Sequence, residues 1–140
     1  MATISSADNG IGYEGYKALA KALTPNAEGV SNSSLRSLNL ADNNDYDERG
    51  VQALVTALAP NEVGVFNRSL KWLNLDFTGI RREGSEALLL LLRPTSQGFV
   101  NMSLNTLILK NNSLMGYENQ TALLEAARNH PNAGAIKIEF

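Results

Sequence analysis

The sequence predicts an α/β fold built by stacking strand–turn–helix repeats, and three observations predict it. First, Ser69-Leu70-Lys71-Trp72-Leu73-Asn74-Leu75 recurs with the same leucine spacing at Ser34 to Leu40 and at Ser103 to Leu109, the first leucines lying 35 and 34 residues apart. Second, the frame N-x-I-x-x-x-G-x-x-A-L-x-x-A-L begins at Asn9 and returns as Asn44, Tyr46, Gly50, Ala53, Leu54, Ala57 and Leu58. It returns again as Thr78, Ile80, Gly84, Ala87, Leu88, Leu91 and Leu92. Third, a proline- and glycine-bearing loop recurs at the same period. A fixed period of this size marks units that bury their apolar faces against one another, because no single unit can do so alone.

Each element has a physical reason. In the L-x-L segments apolar residues alternate in steps of two, which is a short strand with one buried face. In the alanine–leucine frame they recur at three and four residues, which is one stripe of a helix. The turn asparagines Asn9, Asn44 and Asn112 are expected to hydrogen-bond backbone where the strand ends. In the return loops Pro25, Pro60 and Pro94 stop the helix, and Gly29, Gly64 and Gly98 supply a turn of positive φ. Val30, Val65 and Phe99 are expected to plug the loops from beneath. The ends are irregular: Ile4 stands in a strand-leucine position with Ser6 after it, and Glu118 replaces the helix glycine. A last helix is expected over 119–129 and a closing strand over 136–140, with Lys137 and Glu139 blunting the exposed edge. The units fall at about 1–33, 34–68, 69–102 and 103–134, then 135–140, all within one domain, 1–140.

Composition narrows the function classes. The 140 residues carry a formal charge of −2, which argues against an electrostatically driven nucleic-acid or membrane-surface binder. No apolar run approaches the roughly 18 residues of a membrane helix. The start, Met-Ala-Thr-Ile-Ser-Ser-Ala-Asp, lacks the basic and apolar regions of a secretory signal. Without cysteine there is no disulfide, thiolate metal site or cysteine nucleophile. The expected setting is cytoplasmic, an extracellular fragment of a secreted protein being the alternative.

The frame L-x-x-L-x-L-x-x-N-x-L-x-x-x-G-x-x-x-L-x-x-x-L resembles the ribonuclease-inhibitor-like class of leucine-rich repeats, over nearly the whole chain. The resemblance implies a right-handed α/β solenoid, a horseshoe segment with a parallel sheet on its concave face and helices on its convex face. It implies binding of a protein partner, since members of the class bind different proteins. The chain departs from the class in its longer return loops, in Thr78 at an asparagine position and in an extra residue before Asn44.

With the leucines inward, alternate strand residues face the concave surface. These are Ser37, Asn39 and Asp42, then Trp72, Asn74, Asp76 and Phe77, then Thr106, Ile108, Lys110 and Asn111. Trp72 is the only tryptophan, and its counterparts are Ser37 and Thr106. A large aromatic where the scaffold uses small polar residues reads as a binding anchor; the alternative is that it leans over Leu38 or Leu107 and shields the sheet. Phe77 lies at the strand's end and has the further option of folding into the turn.

Other motifs are better explained by the repeat. Gly10-Ile11-Gly12-Tyr13-Glu14-Gly15 matches a dinucleotide fingerprint but lacks the strong strand before it and the acidic strand end after it. The N-x-S/T triplets at Asn32, Asn67 and Asn101 recur with the period and read as loop asparagines, not sugar sites; Asn111 and Asn119 also fit that pattern. His130 reads as a solvated helix-end residue. Asp42, Asn43, Asn44, Asp45 and Asp47 crowd oxygen ligands but lack the glycine and terminal glutamate of a calcium loop. Of Leu88 to Leu92, the stripe takes Leu88, Leu91 and Leu92 and leaves Leu89 or Leu90 outside.

The function this predicts is a non-catalytic protein–protein interaction module without cofactor or metal, binding a protein partner through its concave face, with no nucleic acid or membrane involved. A monomer is expected. The alternatives are a structural segment that self-assembles through its edge strands into a homo-oligomer or belongs to a longer receptor or effector, and a regulator of a small GTPase.

Overall fold

In a computed structural model, which describes residues 2–44, 47–132, 134 and 136–140, the chain alternates strands and helices: β1 (Ala2–Ser5), α1 (Tyr13–Leu23), β2 (Leu35–Asn39), α2 (Arg49–Leu58), β3 (Trp72–Asn74), α3 (Arg82–Leu92), β4 (Thr106–Ile108), α4 (Tyr117–Arg128) and β5 (Lys137–Glu139). A 3-10 turn, Ser113–Met115, precedes α4. The five strands form one parallel sheet in chain order. Each helix packs on the next, and the same core joins strand and helix leucines. Leu38, Leu73 and Leu107 are in register across β2, β3 and β4 and are at most 1% exposed. Leu54, Leu58, Leu88, Leu91 and Leu123 meet them from the helices. The leucine spacing therefore makes both the strand and its contact with the helix, as expected.

The sheet is stitched by two rows of buried asparagine. At the strand ends, Asn43 Oδ1 accepts from the N–H groups of Asn9 and Ile11 in the first unit, at 3.1 and 2.9 Å. Its Nδ2 donates to the carbonyls of Ser6, Leu40 and Ala41. Asn112 repeats the pattern two junctions later, accepting from Thr78 and Ile80 and donating to Leu75, Leu109 and Lys110. The ladder residue of the second unit is thus Asn43 and not Asn44, so the extra residue lies after it. Tyr46, expected at the following apolar position, and Asp45 lie outside the described residues.

The second row is in the return loops. Asn67 and Asn101 are 0% and 2% exposed. Each accepts from the backbone that opens its own strand, at Ser69 and Leu70 or at Ser103 and Leu104. Each donates to the last helical turn of the preceding unit, Asn67 to Leu23 O and Asn101 to Leu58 O. That helix-end carbonyl has no partner within its own helix. The asparagines of two N-x-S triplets are therefore structural, which agrees with the reading from the repeat. Asn67 also donates to Asn32 O of the preceding loop, and at the last junction a histidine makes the corresponding bond. His130, expected to be solvated, is 3% exposed. Its Nδ1 accepts from Asn132 N–H, so Nε2 carries the proton and donates to Asn101 O at 3.0 Å. An imidazole reaches what a shorter side chain would not.

The junction holding Thr78 lacks a ladder asparagine, and there Thr78 Oγ1 turns back to Leu75 O. Glu48 bridges this junction instead. Its Oε1 accepts from Arg81 N and Gly84 N, at 2.6 and 2.7 Å. A carboxylate from one unit thereby caps the start of α3 in the next, where the helix dipole favours it. Gly84 is what lets it in, since a Cβ there would stand 2.8 Å from that oxygen. At Gly50 the neighbour is the ring of Tyr16, at 2.9 Å. The recurring glycine is thus a packing position between units.

Two further expectations are corrected. Val30 and Val65 are 65% and 39% exposed and are not buried plugs, while Phe99, 38% exposed, lies on Gly64 of the preceding loop. Asn26 and Asn61 close their loops by accepting two N–H groups each, and the loops are tight enough to turn the next residues outward. The last helix starts at Tyr117, earlier than expected. Before it the 3-10 turn buries Met115 and leaves Leu114 at 61% exposure, so methionine fills the place that Ile80 fills in the third unit.

Candidate interaction face

The strand residues between the leucines form rows across the face of the sheet away from the leucine core. Register places Thr3, Ser37, Trp72, Thr106 and Lys137 side by side, and Ser5, Asn39, Asn74, Ile108 and Glu139 in the next row. The candidates from three units are therefore brought together. Trp72 stands between Ser37 and Thr106 and is half-buried. Ser37 itself is 7% exposed, hemmed in by Thr3 and Trp72, and gives the face almost no surface. Asn39 and Asn74 each accept from the N–H two residues on, at Ala41 and Asp76, which fixes their carboxamides as the strands end.

Beyond the strands the backbone turns sharply in every unit. Asp8, Asp42, Phe77 and Asn111 occupy one repeat position, and all four have positive φ, at 53°, 59°, 47° and 56°. Aspartate and asparagine tolerate this conformation, whereas for a bulky side chain it is an outlier. Phe77 nevertheless occupies it and is 46% exposed. It does not fold into the turn. It borders a shallow pocket of about 120 Å³ with Asn44, Ile80, Asn111 and Leu114. Beside it Asn111 Nδ2 donates to Asp76 Oδ1 at 2.8 Å.

Lys110 and Lys137 are paired with Glu139. Lys110 Nζ lies 3.0 Å from Glu139, and Lys137 meets the other oxygen of the same carboxylate. Hydrogen bonds from Lys137 and Lys110 hold the Glu139 carboxyl below the ordinary glutamate range. The pair places positive charge beside the aromatic residues without leaving it uncompensated. Sequence reasoning read Glu139 only as an edge charge, whereas register also places it on this face beside Ile108.

The remaining polar candidates are used structurally. Asn43 is consumed in its ladder, Asp47 is held by Arg49 at 2.7 Å, and both ring nitrogens of His130 are engaged with backbone. Among the described residues, no group of three or more His, Asp or Glu side chains is placed to hold a metal, and no helix is long and apolar enough to cross a membrane. What the face offers is shape, two aromatic side chains and oriented carboxamides.

Residues 31–55 match the leucine-rich repeat family. The match falls where the pattern is most complete. Of the four units only the second combines three strand leucines, a ladder asparagine and the helix glycine, since the first lacks the leucines, the third has Thr78 and the fourth Glu118. No curated protein matches the chain. The matched segment holds β2 and most of α2, one strand–turn–helix unit of the five-stranded parallel sheet.

Proposed function

We propose that the chain is a non-catalytic protein-binding module whose partner docks on the sheet face centred on Trp72 and Phe77. The reading takes residues 1–140 as one domain of a ribonuclease-inhibitor-like, right-handed solenoid, with that face concave. Phe77 is the observation that carries it. A half-exposed aromatic held at a φ of 47°, where the other units place Asp or Asn, strains the backbone by about as much as its packing returns, so the fold gains nothing from having it there. Trp72, five residues earlier in the same unit and flanked by small residues, adds the second anchor. Oriented carboxamides on Asn39, Asn74 and Asn111 supply hydrogen bonds on a backbone already fixed, so little entropy is lost on docking.

The test is capture of protein partners by the wild-type chain against Trp72→Ala and Phe77→Asn, with each variant first shown to melt as the wild type does. Loss of the same partner in both variants supports the face. Equal capture by all three, or none by any, removes it. Lys110 is a poor choice for reversal, because Lys110→Glu would set two carboxylates together at Glu139.

A second reading has its own observation. The outermost strand, β1, carries no charge or proline, and all four of its residues are exposed. Such an edge invites another strand, whereas β5 at the far edge is flanked by Lys137 and Glu139. Sedimentation equilibrium at micromolar concentration separates the readings: a monomer across the range argues against self-assembly through β1.

A further inference from the structure

A second site lies off the sheet face, in the cleft between the first two return loops. The loops 24–32, 59–67 and 93–101 share one geometry. Their first turns close on Asn26, Asn61 and Thr95, and Gly29, Gly64 and Gly98 all have positive φ. Between the second and third loops the gap is filled: the ring of Phe99 lies on Gly64, where an added Cβ would stand 2.8 Å from it. Between the first and second loops the equivalent residue is Val65, and Gly29 has nothing within 4 Å. An open cleft of about 450 Å³ remains, lined by Gly29, Val30, Val65, Phe66, Arg36 and Arg68 among others. The repeat itself thus shows what fits here, a large apolar side chain laid on the glycine.

Charge sets the rest of the ligand. Arg36 and Arg68 are the only charged residues of the lining, and neither has a carboxylate partner among the described residues. Arg36 Nη1 donates to Ser33 O at 2.6 Å. Arg68 Nη2 donates to Gly64 O at 2.9 Å, and its guanidinium sits 4.2 Å above the Phe66 ring. Each guanidinium has five N–H donors in a fixed fork, so both are oriented with donors to spare. Glu62 on the second loop is engaged by Ser96 Oγ, and Glu28 on the first is not part of the lining. We infer that this cleft binds an acidic protein segment, whose aromatic or large aliphatic side chain lies on Gly29 while its carboxylates pair with Arg36 and Arg68. The site is distinct from the Trp72 face and stands or falls separately.

The test is selection of random heptapeptides displayed on phage, at low salt, against the whole chain. Enriched peptides should place a large apolar residue within a few positions of one or two acids. A synthetic copy of the most enriched peptide should lose at least about tenfold in affinity for Val65→Phe, which supplies its own ring to Gly29. The same loss is expected for Arg36→Gln with Arg68→Met, the latter residue being the one the third unit carries at Met102. Those two are surface changes and keep the test alive should Val65→Phe fold poorly. Trp72→Ala should bind the peptide as the wild type does. No enrichment over bare support, winners without acids, or winners that bind the two-arginine variant at wild-type strength would overturn the cleft. Winners lost only on Trp72→Ala would do so too, while supporting the sheet face.

Discussion

At the scale of single residues, the side chains that matter most are those whose surroundings contradict their type. Phe77 is aromatic, half-exposed and left-handed. Replacing it with asparagine removes part of a buried ring, worth about 1 kcal/mol, and relieves a backbone conformation that costs a bulky residue about as much. The two offset, so Phe77→Asn should stay within about 0.5 kcal/mol of the wild type in urea unfolding. A loss of about 2 kcal/mol or more would show the ring to be core. Asn43 is the opposite case, a polar side chain 1% exposed that serves five backbone groups. Asn43→Ala leaves several of these buried without partners and should cost about 3 kcal/mol. Asn44→Ala should cost clearly less, and equal losses would put the ladder at the wrong residue. Here the sequence was legible in kind but not in position. Neighbouring asparagines carry the same chemistry, and an inserted residue moves the frame by one. Only the depth of Asn43 among backbone groups of the preceding unit separates them.

At the scale of elements, strands and helices were readable because each is specified by a local period, two for the leucines of β2 to β4 and three to four for α1 to α3. What joins them was not readable. Glu48 precedes α2 in the chain yet caps α3, and no local pattern marks a cap supplied across a 33-residue separation. His130 likewise looks like a helix-end residue until the carbonyl of Asn101 arrives beside it. The glycines of the two inner junctions test this picture. Gly50→Ala drives a methyl into the Cβ and ring of Tyr16, a buried side chain with nowhere to go, and should cost about 1–3 kcal/mol. Gly84→Ala meets the far end of Glu48, which can swing away at the loss of a cap worth about 1 kcal/mol. Its penalty should therefore shrink when Glu48→Ala has already removed the cap, a coupling that a double-mutant cycle reads directly. Additive losses would mean that Glu48 and Gly84 do not share one site. The closing strand carries a pH dependence of definite sign. Because Glu139 titrates below its ordinary range, its contribution is present above the usual glutamate range and is lost as pH falls through the lowered value. Amide exchange in β5, compared with β3, should accelerate on that acid side, and Glu139→Gln should abolish the difference.

For the whole molecule, stability is expected to follow position in the stack. Each unit rests on its neighbours, so an inner unit is covered from both sides and an outer one from one side only. Burial already shows the gradient within a single register row. Ile4, Leu38 and Leu73 are aligned across β1, β2 and β3, yet they are 41%, 0% and 0% exposed. The same apolar position is thus surface at the edge and core at the centre. Leu73→Ala should cost about 2–5 kcal/mol, since the cavity it leaves is closed by Leu38 and Leu107 on either side. Ile4→Ala removes atoms that water already reaches and should cost less than about 1 kcal/mol. Urea unfolding of the two variants decides the point. Equal losses would mean that something covers β1 in solution, and the covering strand would then have to come from another copy. The sedimentation measurement would have to agree. A large ratio between the two losses leaves β1 as an open edge and Leu73 as the centre of a core that the leucine spacing alone had announced.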